Sequence, residues 1–224
     1  GRVTQPKRIK EYGSHIYQES IRLNKMIEML LDVARSDYGT TLIHATPQDL
    51  DTLVPEVVES QRSVVTRKGH RLQYAGTNKP AMALVDPEHI KVMLTNLIDN
   101  AVKYSPNPSE ITIRVDTKDG QCYVHCTDQG IGIPRAHIKH IFKKFYRVED
   151  ALSAKTKGHG LGLSIIKSLM ELNQGHVRVK SEWAKGSTFT LCFPEYIAHE
   201  SEKLLERKKE ERPSLSYLEP ESMS

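Results

Sequence analysis

The sequence predicts an α+β fold, a two-layer α/β sandwich in which helices cover one face of a mixed sheet, with a bundle helix before it. The first observation is that amphipathic helical segments alternate with short runs typical of strands. The second is a pair of hairpin signals, around Asp119 and Gly120 and around 184–186. The third is an amphipathic segment at 15–35, whose apolar stripe needs a partner helix to bury it.

The composition narrows the class of protein. The chain has 224 residues, of which 38% are hydrophobic and 27% are charged, and it contains no apolar run of the roughly 18–20 residues that cross a bilayer. Its net charge of +4 is scattered, unlike the basic stripe of a nucleic-acid-binding protein. The three cysteines are expected to be reduced, small core residues. We therefore expect a cytoplasmic chain without nucleic acid or a membrane segment, whose parent protein can still be anchored upstream.

The first elements after the bundle helix are a strand and a helix. A short strand is expected at 42–44. Pro47, Asp49 and Leu50 are expected to start a helix that runs to about Lys68, and Gly69 is expected to end it.

The rest of the chain continues the alternation of strands and helices. Asp86 and Pro87 are a cap and a first helical residue, so they predict a helix at 87–104. The other predicted elements are strands at 71–75, 82–85, 110–117, 121–127, 176–182 and 187–193, a short helix near 135–141, and a helix at 161–173.

The helix at 87–104 has a second face with ligand chemistry. Placed at 100° per residue, Asn96, Asn100 and Lys103 gather well over a right angle away from the apolar face. An asparagine oxygen is a neutral, hard ligand suited to Mg²⁺, and a lysine suits phosphate as a point charge. The alternative is a solvated helix face without a ligand.

Two glycine-rich segments and an aromatic, basic one follow this helix. In 128-DQGIGIP-134 the glycines permit close backbone approach to a ligand, and 158-GHGLGLSIIKSL-169 leads into a helix whose free amides attract phosphate. The first of these segments is also compatible with a plain turn. Between them, 141-IFKKFYRVED-150 offers aromatic side chains that dock a mobile segment, and Arg147 suits a terminal phosphate.

In this order, the four segments resemble the sensor histidine kinases of two-component systems, within the larger group of ATPases that includes DNA gyrase, Hsp90 and MutL. The resemblance covers about residues 16–194. The matching segments are the N box 96-NLIDNAVKY-104, the first glycine box 128-DQGIGIP-134, the F box 141-IFKKFYR-147 and the second glycine box 158-GHGLGL-163.

The resemblance implies a site for ATP and Mg²⁺ and a role for each matching residue. Asn100 would bind the metal ion, and the groups nearest the transferred phosphate would be Asn96, Lys103 and Arg147. Asp128 would accept a hydrogen bond from the adenine amino group. The remaining nucleotide contacts would be Tyr104 near the adenine or ribose, Gly130, Gly132 and Ile133 in the first glycine box, and Gly158, His159, Gly160, Leu161 and Gly162 in the second. Residues 134–160 would form a mobile lid.

One N-box position predicts the type of reaction. Hydrolysing relatives carry a glutamate one turn before the metal-binding asparagine, where it activates water, and this chain has Asn96 there. The site is therefore expected to pass the phosphoryl group to another nucleophile rather than to water.

The resemblance also divides the chain into three parts. Residues 1–40 are expected to be the second helix of a dimerisation hairpin without the first, 41–195 the ATP-binding catalytic domain, and 196–224 a charged, partly disordered tail. In the family the acceptor histidine is followed by an acid and Leu-Arg-x-Pro. His15 is followed by Ile16 and no proline, so we expect it to be a solvated residue and the chain to begin after the acceptor.

The resemblance implies the kinase core of a protein histidine kinase. The parent would be a homodimer through the hairpin helix, and it would pass phosphate to its histidine and then to an aspartate on a response-regulator receiver domain. Two alternatives stay open at this stage: a serine-directed kinase of the anti-sigma type, and a non-enzymatic regulator of the same fold that senses nucleotide or docks a partner.

Overall fold

The structure is a computed structural model that describes residues 12–13, 43–77, 79–148 and 160–198. Its elements, in chain order, are β1 (Thr46–Asp49), α1 (Leu50–Arg67), β2 (Arg71–Ala75), β3 (Met82–Val85), α2 (Pro87–Tyr104), β4 (Glu110–Lys118), β5 (Gln121–Asp128), α3 (Gly162–Leu172), β6 (His176–Glu182) and β7 (Gly186–Pro194).

Five strands form a mixed sheet, which confirms the predicted class. Its order is β2-β4-β5-β7-β6; β2 is parallel to β4, and the other neighbours are antiparallel. A smaller sheet pairs β1 with β3. The helices α1, α2 and α3 contact strands of the large sheet and one another in sequence, so they form the second layer of a sandwich.

The core lies between the helices and one face of the large sheet. Alternate residues of β4 and β5, such as Ile113 and Val124, are fully buried there, as expected for strands with period two. On the opposite face Arg114 contacts Asp116, and His125 contacts Thr190. Cys122, Cys126 and Cys192 are free and buried, as predicted.

The first strand and the start of the first helix differ from the prediction. Residues 43–45 are irregular, and the strand lies later, with Pro47 inside it; the helix starts only at Leu50. The Asp49 side chain accepts a hydrogen bond from Asp51 N and is the N-cap. The prediction failed because a proline is compatible both with a first helical residue and with an edge strand, and pairing with β3 decides between them.

A proline inside α1 is accommodated by a tyrosine from β2. Pro55 has no N–H to donate to the carbonyl of Asp51. The hydroxyl of Tyr74 lies 3.5 Å from that carbonyl oxygen and also donates to the Asp51 carboxylate. Burial, with this acceptor, raises the pKa of Tyr74 well above its ordinary value. The contact therefore fixes the start of α1 on the sheet edge.

The segment after the first glycine box is not helical. Where a short helix near 135–141 was predicted, the chain makes consecutive turns, with hydrogen bonds such as His140 N to His137 O at 2.8 Å and Lys143 N to His140 O at 2.9 Å. Turns closed by hydrogen bonds between residues three apart are typical of short segments, and this one buries the side chain of Ile141 in the core.

Some predictions fall outside the described residues. The bundle helix at 15–35, His15 and most of the tail, from 199 onward, lie there, and so do Gly158 and His159. Among the helices that are described, none is long and apolar enough to cross a membrane.

Candidate nucleotide site

The polar face of α2 is separated from its core face, as the spacing predicted. Ile90, Leu94 and Leu97 are buried, whereas Asn96, Asn100 and Lys103 are half-buried. The Asn96 side chain donates from Nδ2 to Val92 O at 2.9 Å. That bond fixes its rotamer and leaves the amide oxygen as the group that can accept from a ligand.

The start of α3 lies directly against this polar face. A Cβ placed on Gly162 would be 3.2 Å from Asn96 Oδ1 and 3.8 Å from Asn100 Nδ2. No side chain caps this helix; Leu161, the residue before it, is buried and accepts a bond from Ser164 Oγ. The uncapped backbone amides of the first turn and the asparagine amides therefore border one space, where an anion is favoured.

Asp128 ends β5 as a buried carboxylate held by backbone amides. It is 8% exposed, and its Oδ1 accepts from Gly130 N at 2.8 Å and from Ser187 N at 3.2 Å. Burial raises the pKa of this carboxyl, against the lowering effect of those two bonds. Because both bonds go to Oδ1, Oδ2 is the oxygen left for an amino group of a ligand.

The first glycine box passes between the end of α2 and the turn that joins β6 to β7. Ile131 donates its N–H to Tyr104 O at 3.0 Å and accepts from Ala184 N at 2.8 Å. Ile133 N donates to Ser181 Oγ at 2.7 Å. Since these backbone bonds fix both sides of the loop, the box is a rigid edge of the site.

Steric constraints explain why glycine occupies both positions of this box, 130 and 132. A Cβ on Gly130 would lie 2.7 Å from Tyr104 O, so only glycine lets the loop approach the end of α2. Gly132 has φ +68°, and a Cβ there would collide with the carbonyl oxygen of Glu182. The close approach seen in the structure is thus between backbone segments of the protein, and the approach to a ligand stays a prediction.

The F box and the second glycine box meet at their backbones. Phe145 N donates to Gly160 O at 3.0 Å, and a Cβ on Gly160 would lie 2.8 Å from Tyr146 O. Phe145 itself has φ +63° and is 69% exposed. The bond joins the middle of the segment predicted to be a lid, 134–160, to its last residue, and Arg147 lies two residues after Phe145.

Several features of the site were not found from the sequence. The amide of Ser187 reaches Asp128 because β5 pairs with β7, and no local signal gives that pairing. Tyr146 forms a hydrogen bond with His137, and its ring is tilted by 51° against that of His140; the sequence predicted only that this segment carries aromatic side chains. Lys103 Nζ lies 5.4 Å from the ring centre of Tyr104, a cation–π contact between neighbouring residues.

The donor set suits a magnesium ion that is held mostly by phosphate oxygens. The Asn100 side chain makes no hydrogen bond to any other residue that the structure describes, so its oxygen is uncommitted. Within the same described ranges, no three His, Cys, Asp or Glu residues are grouped around a possible metal position. Mg²⁺ keeps several waters and few protein ligands in phosphate sites, which matches a single amide.

A match to a protein family accounts for this arrangement. The profile of the histidine kinase-, DNA gyrase B- and HSP90-like ATPases matches residues 85–197, which contain α2, both glycine boxes and the F box. The chain belongs to this family. The hydrophobic core of the domain includes residues that precede the matched range, because Leu50 and Val54 of α1 and Leu72 of β2 belong to the same cluster of buried residues.

The relatives by sequence are sensor proteins. The chain is 34% identical to the sensor protein SrrB of Staphylococcus aureus over 194 residues, which are 87% of this chain and 33% of that protein. It therefore spans about a third of the length of the curated relatives it matches. The described domain is the ATP-binding catalytic domain of a sensor histidine kinase.

Solved structures share the fold. Full-length ShkA, crystallised in complex with AMPPNP, superposes with a TM-score of 0.71 at 23% identity, over 88% of this chain and 41% of ShkA. The mycobacterial sensor histidine kinase MprB gives a TM-score of 0.57 at 26% identity, over 67% of this chain and 97% of that one. The sandwich described above is thus the fold of these kinases.

Proposed function

We propose that this chain binds Mg-ATP between α2, the start of α3 and the first glycine box, and that it donates the γ-phosphoryl group to a histidine. The observation that carries the proposal is that the start of α3 lies against both N-box asparagines: a Cβ placed on Gly162 would be 3.2 Å from Asn96 Oδ1 and 3.8 Å from Asn100 Nδ2. This arrangement brings two side-chain amides, whose oxygens suit a metal ion, beside backbone amides suited to phosphate. Asp128, Tyr104 and Ile133 would hold the adenosine end.

The proposed acceptor, a histidine rather than water, follows from the residues at and beside the N-box asparagines. Asp99, next to Asn100 in sequence, has its carboxylate 3.9 Å from the ammonium group of Lys68, the C-cap of α1, and both side chains are exposed. Position 96 is an amide, which cannot take a proton from water. Catalysis of phosphoryl transfer rests on positioning and charge, so a site of this kind serves an acceptor brought by another element. Lys103 and Arg147 would stabilise charge on the transferred group.

The whole protein would then be a dimeric, cytoplasmic kinase of a two-component system. Residues 41–195 would be its catalytic domain, 1–40 would contribute a helix to the dimerisation hairpin, and 196–224 would be a tail. From the histidine the phosphate would pass to an aspartate of a response-regulator receiver domain. The sensor relatives in Staphylococcus aureus support this assignment.

The test uses ATP labelled on the γ-phosphate, with Mg²⁺, and a helical-hairpin peptide bearing His-acid-Leu-Arg-x-Pro as acceptor. We expect saturable ATP binding by the chain and acid-labile label on the peptide, both lost in Asn100→Ala. Binding followed by release of inorganic phosphate, without labelled peptide, would contradict transfer. A folded chain that binds no ATP would instead support the non-enzymatic regulator.

A further inference from the structure

We propose that Tyr146 is a positioning residue for the terminal phosphate: its hydroxyl bond to His137 holds the backbone from which Arg147 reaches the nucleotide. This inference rests on the proposed function, because it assumes that ATP occupies the site. The carrying observation is a hydrogen bond of 2.6 Å between Tyr146 Oη and His137 Nδ1, which joins the two ends of the turn segment after the first glycine box.

The tyrosine ring lies close to two imidazoles. Its centre is 6.1 Å from that of His137 and 5.7 Å from that of His140, with tilts of 44° and 51° between the planes. Tilted aromatic pairs at such distances are favourable beyond their buried area. The nearby side chains of Lys143, Lys144 and Phe145 are exposed. Tyr146 is therefore the side chain at this end of the segment that attaches it to the domain.

The backbone of Tyr146 is fixed on both sides. Its N–H donates to Lys143 O at 3.2 Å, and its carbonyl oxygen packs against Gly160, where a Cβ would lie only 2.8 Å away. Phe145, just before it, is held by its bond to Gly160 and adopts φ +63°, an unusual conformation for a residue with a side chain. These constraints restrict the backbone conformations open to this short segment.

Arg147 is the next residue, and consecutive Cα atoms are about 3.8 Å apart. The position from which its side chain extends is therefore set by Tyr146. Gly160, which packs against the Tyr146 carbonyl, lies two residues before Gly162. The position of Tyr146 is therefore linked to the start of α3, where the proposed phosphate-binding amides are. Loss of the hydroxyl should loosen the origin of Arg147 without removing the ring that packs against the core.

The experiment measures the affinity of the whole chain for Mg-ATP and Mg-ADP by calorimetry, in wild type, Tyr146→Phe, Arg147→Met and the double variant. We expect Tyr146→Phe to weaken ATP binding about three- to tenfold, the usual worth of one hydrogen bond, and to change ADP binding less than twofold. In the Arg147→Met background the second substitution should have no further effect, since the tyrosine acts through the arginine.

The matched control is Tyr123→Phe, which removes a hydroxyl from a tyrosine stacked on His125 at 6.0 Å, on the opposite face of the sheet. It should change neither affinity. Equal losses for ATP and ADP in Tyr146→Phe, or additive losses in the double variant, would overturn the inference while leaving nucleotide binding intact. A wild-type chain that binds neither nucleotide would overturn the proposed function itself.

Discussion

Asn173 accepts a hydrogen bond from the backbone N–H of Asp86 at 2.8 Å, although the two residues are 87 positions apart. Its Nδ2 donates to Leu169 O at 2.6 Å and lies 3.0 Å from His89 Nδ1. Asn173 ends α3 and Asp86 caps α2. The two helices that border the candidate site are thus joined at the ends that lie away from it.

Substitution of Asn173 by alanine should destabilise the domain. Asn173 is 2% exposed, so the change leaves the N–H of Asp86 and the carbonyl of Leu169 buried without this partner. The expected loss in the free energy of unfolding is about 1–3 kcal/mol, measured by urea denaturation. Gln48→Ala, which removes an exposed bond to Thr46, is the control and should change stability by less than about 0.5 kcal/mol. Equal losses in the two variants would show that the hydrogen bonds of Asn173 stabilise the domain no more than an exposed hydrogen bond does.

Substitution of Asp128 by asparagine should separate stability from binding. Asparagine can still accept from Gly130 N and Ser187 N, but an NH₂ group then replaces the oxygen that would face the adenine amino group. We expect a stability at neutral pH that is equal to wild type or higher, with ATP affinity reduced at least about tenfold. Unchanged affinity by calorimetry would remove Asp128 from the site.

The same variant gives a pH dependence with a defined sign. Burial raises the pKa of Asp128 in the folded protein, so the folded state keeps this proton to a higher pH than the unfolded chain does. The contribution of Asp128 to stability is therefore greatest below the unfolded pKa and is lost as the pH rises through the folded one. The stability of Asp128→Asn relative to wild type should increase from about pH 4 toward pH 7. A decrease over this range, in urea denaturation at each pH, would contradict the assignment.

Substitution of Gly162 by alanine should weaken binding without weakening the fold. The new Cβ is in contact range of Asn96 and Asn100, and the helix position accepts alanine. We expect the midpoint of thermal unfolding to be unchanged and ATP affinity to fall about tenfold, since one methyl group occupies the space bordered by the amides. Lys167→Ala, on the exposed side of the same helix, should change neither. A loss of stability equal to the loss of affinity would mean that the methyl group distorts the helix.

Two glycines with the same backbone conformation should respond differently to alanine. Gly120 has φ +70° and Gly132 has φ +68°, but a Cβ on Gly120 meets nothing within 4 Å, whereas one on Gly132 meets the carbonyl of Glu182. Gly120→Ala should cost about 1 kcal/mol from backbone strain alone. Gly132→Ala should cost clearly more and weaken ATP binding as well. Similar losses in urea denaturation would show that the loop moves freely away from the turn.

Most elements of the fold were predictable because their signals are local. Asp86 and Pro87 mark the start of α2, and alternating residues mark β4 and β5, since capping and period two depend on a few neighbouring residues. The strand near Pro47 was misplaced because pairing with β3 decides its position. The segment at 135–141 was misread as a helix because its apolar spacing is compatible with consecutive turns.

The candidate site likewise has some features with local sequence signals and others that depend on long-range packing. Asn96, Asn100 and Asp128 could be selected from residue chemistry on one helix face and at one strand end. The approach of Gly162 to the two asparagines, and the bond from Ser187 to Asp128, depend on how distant elements pack. The tyrosine at 146 was read as one aromatic among several, because its partner His137 lies nine residues earlier across a series of turns. Long-range packing is the information that a single sequence does not display.

The backbone bond between Phe145 and Gly160 has a consequence for engineering. Fourteen residues connect the two positions, and the ends of that connection are held together by the domain itself. The entropy of closing a loop grows only with the logarithm of its length, so doubling the connection costs about 0.6 kcal/mol. We therefore expect the sandwich to stay folded when a peptide or fluorescent reporter is inserted into this connection outside Tyr146, Arg147 and the second glycine box.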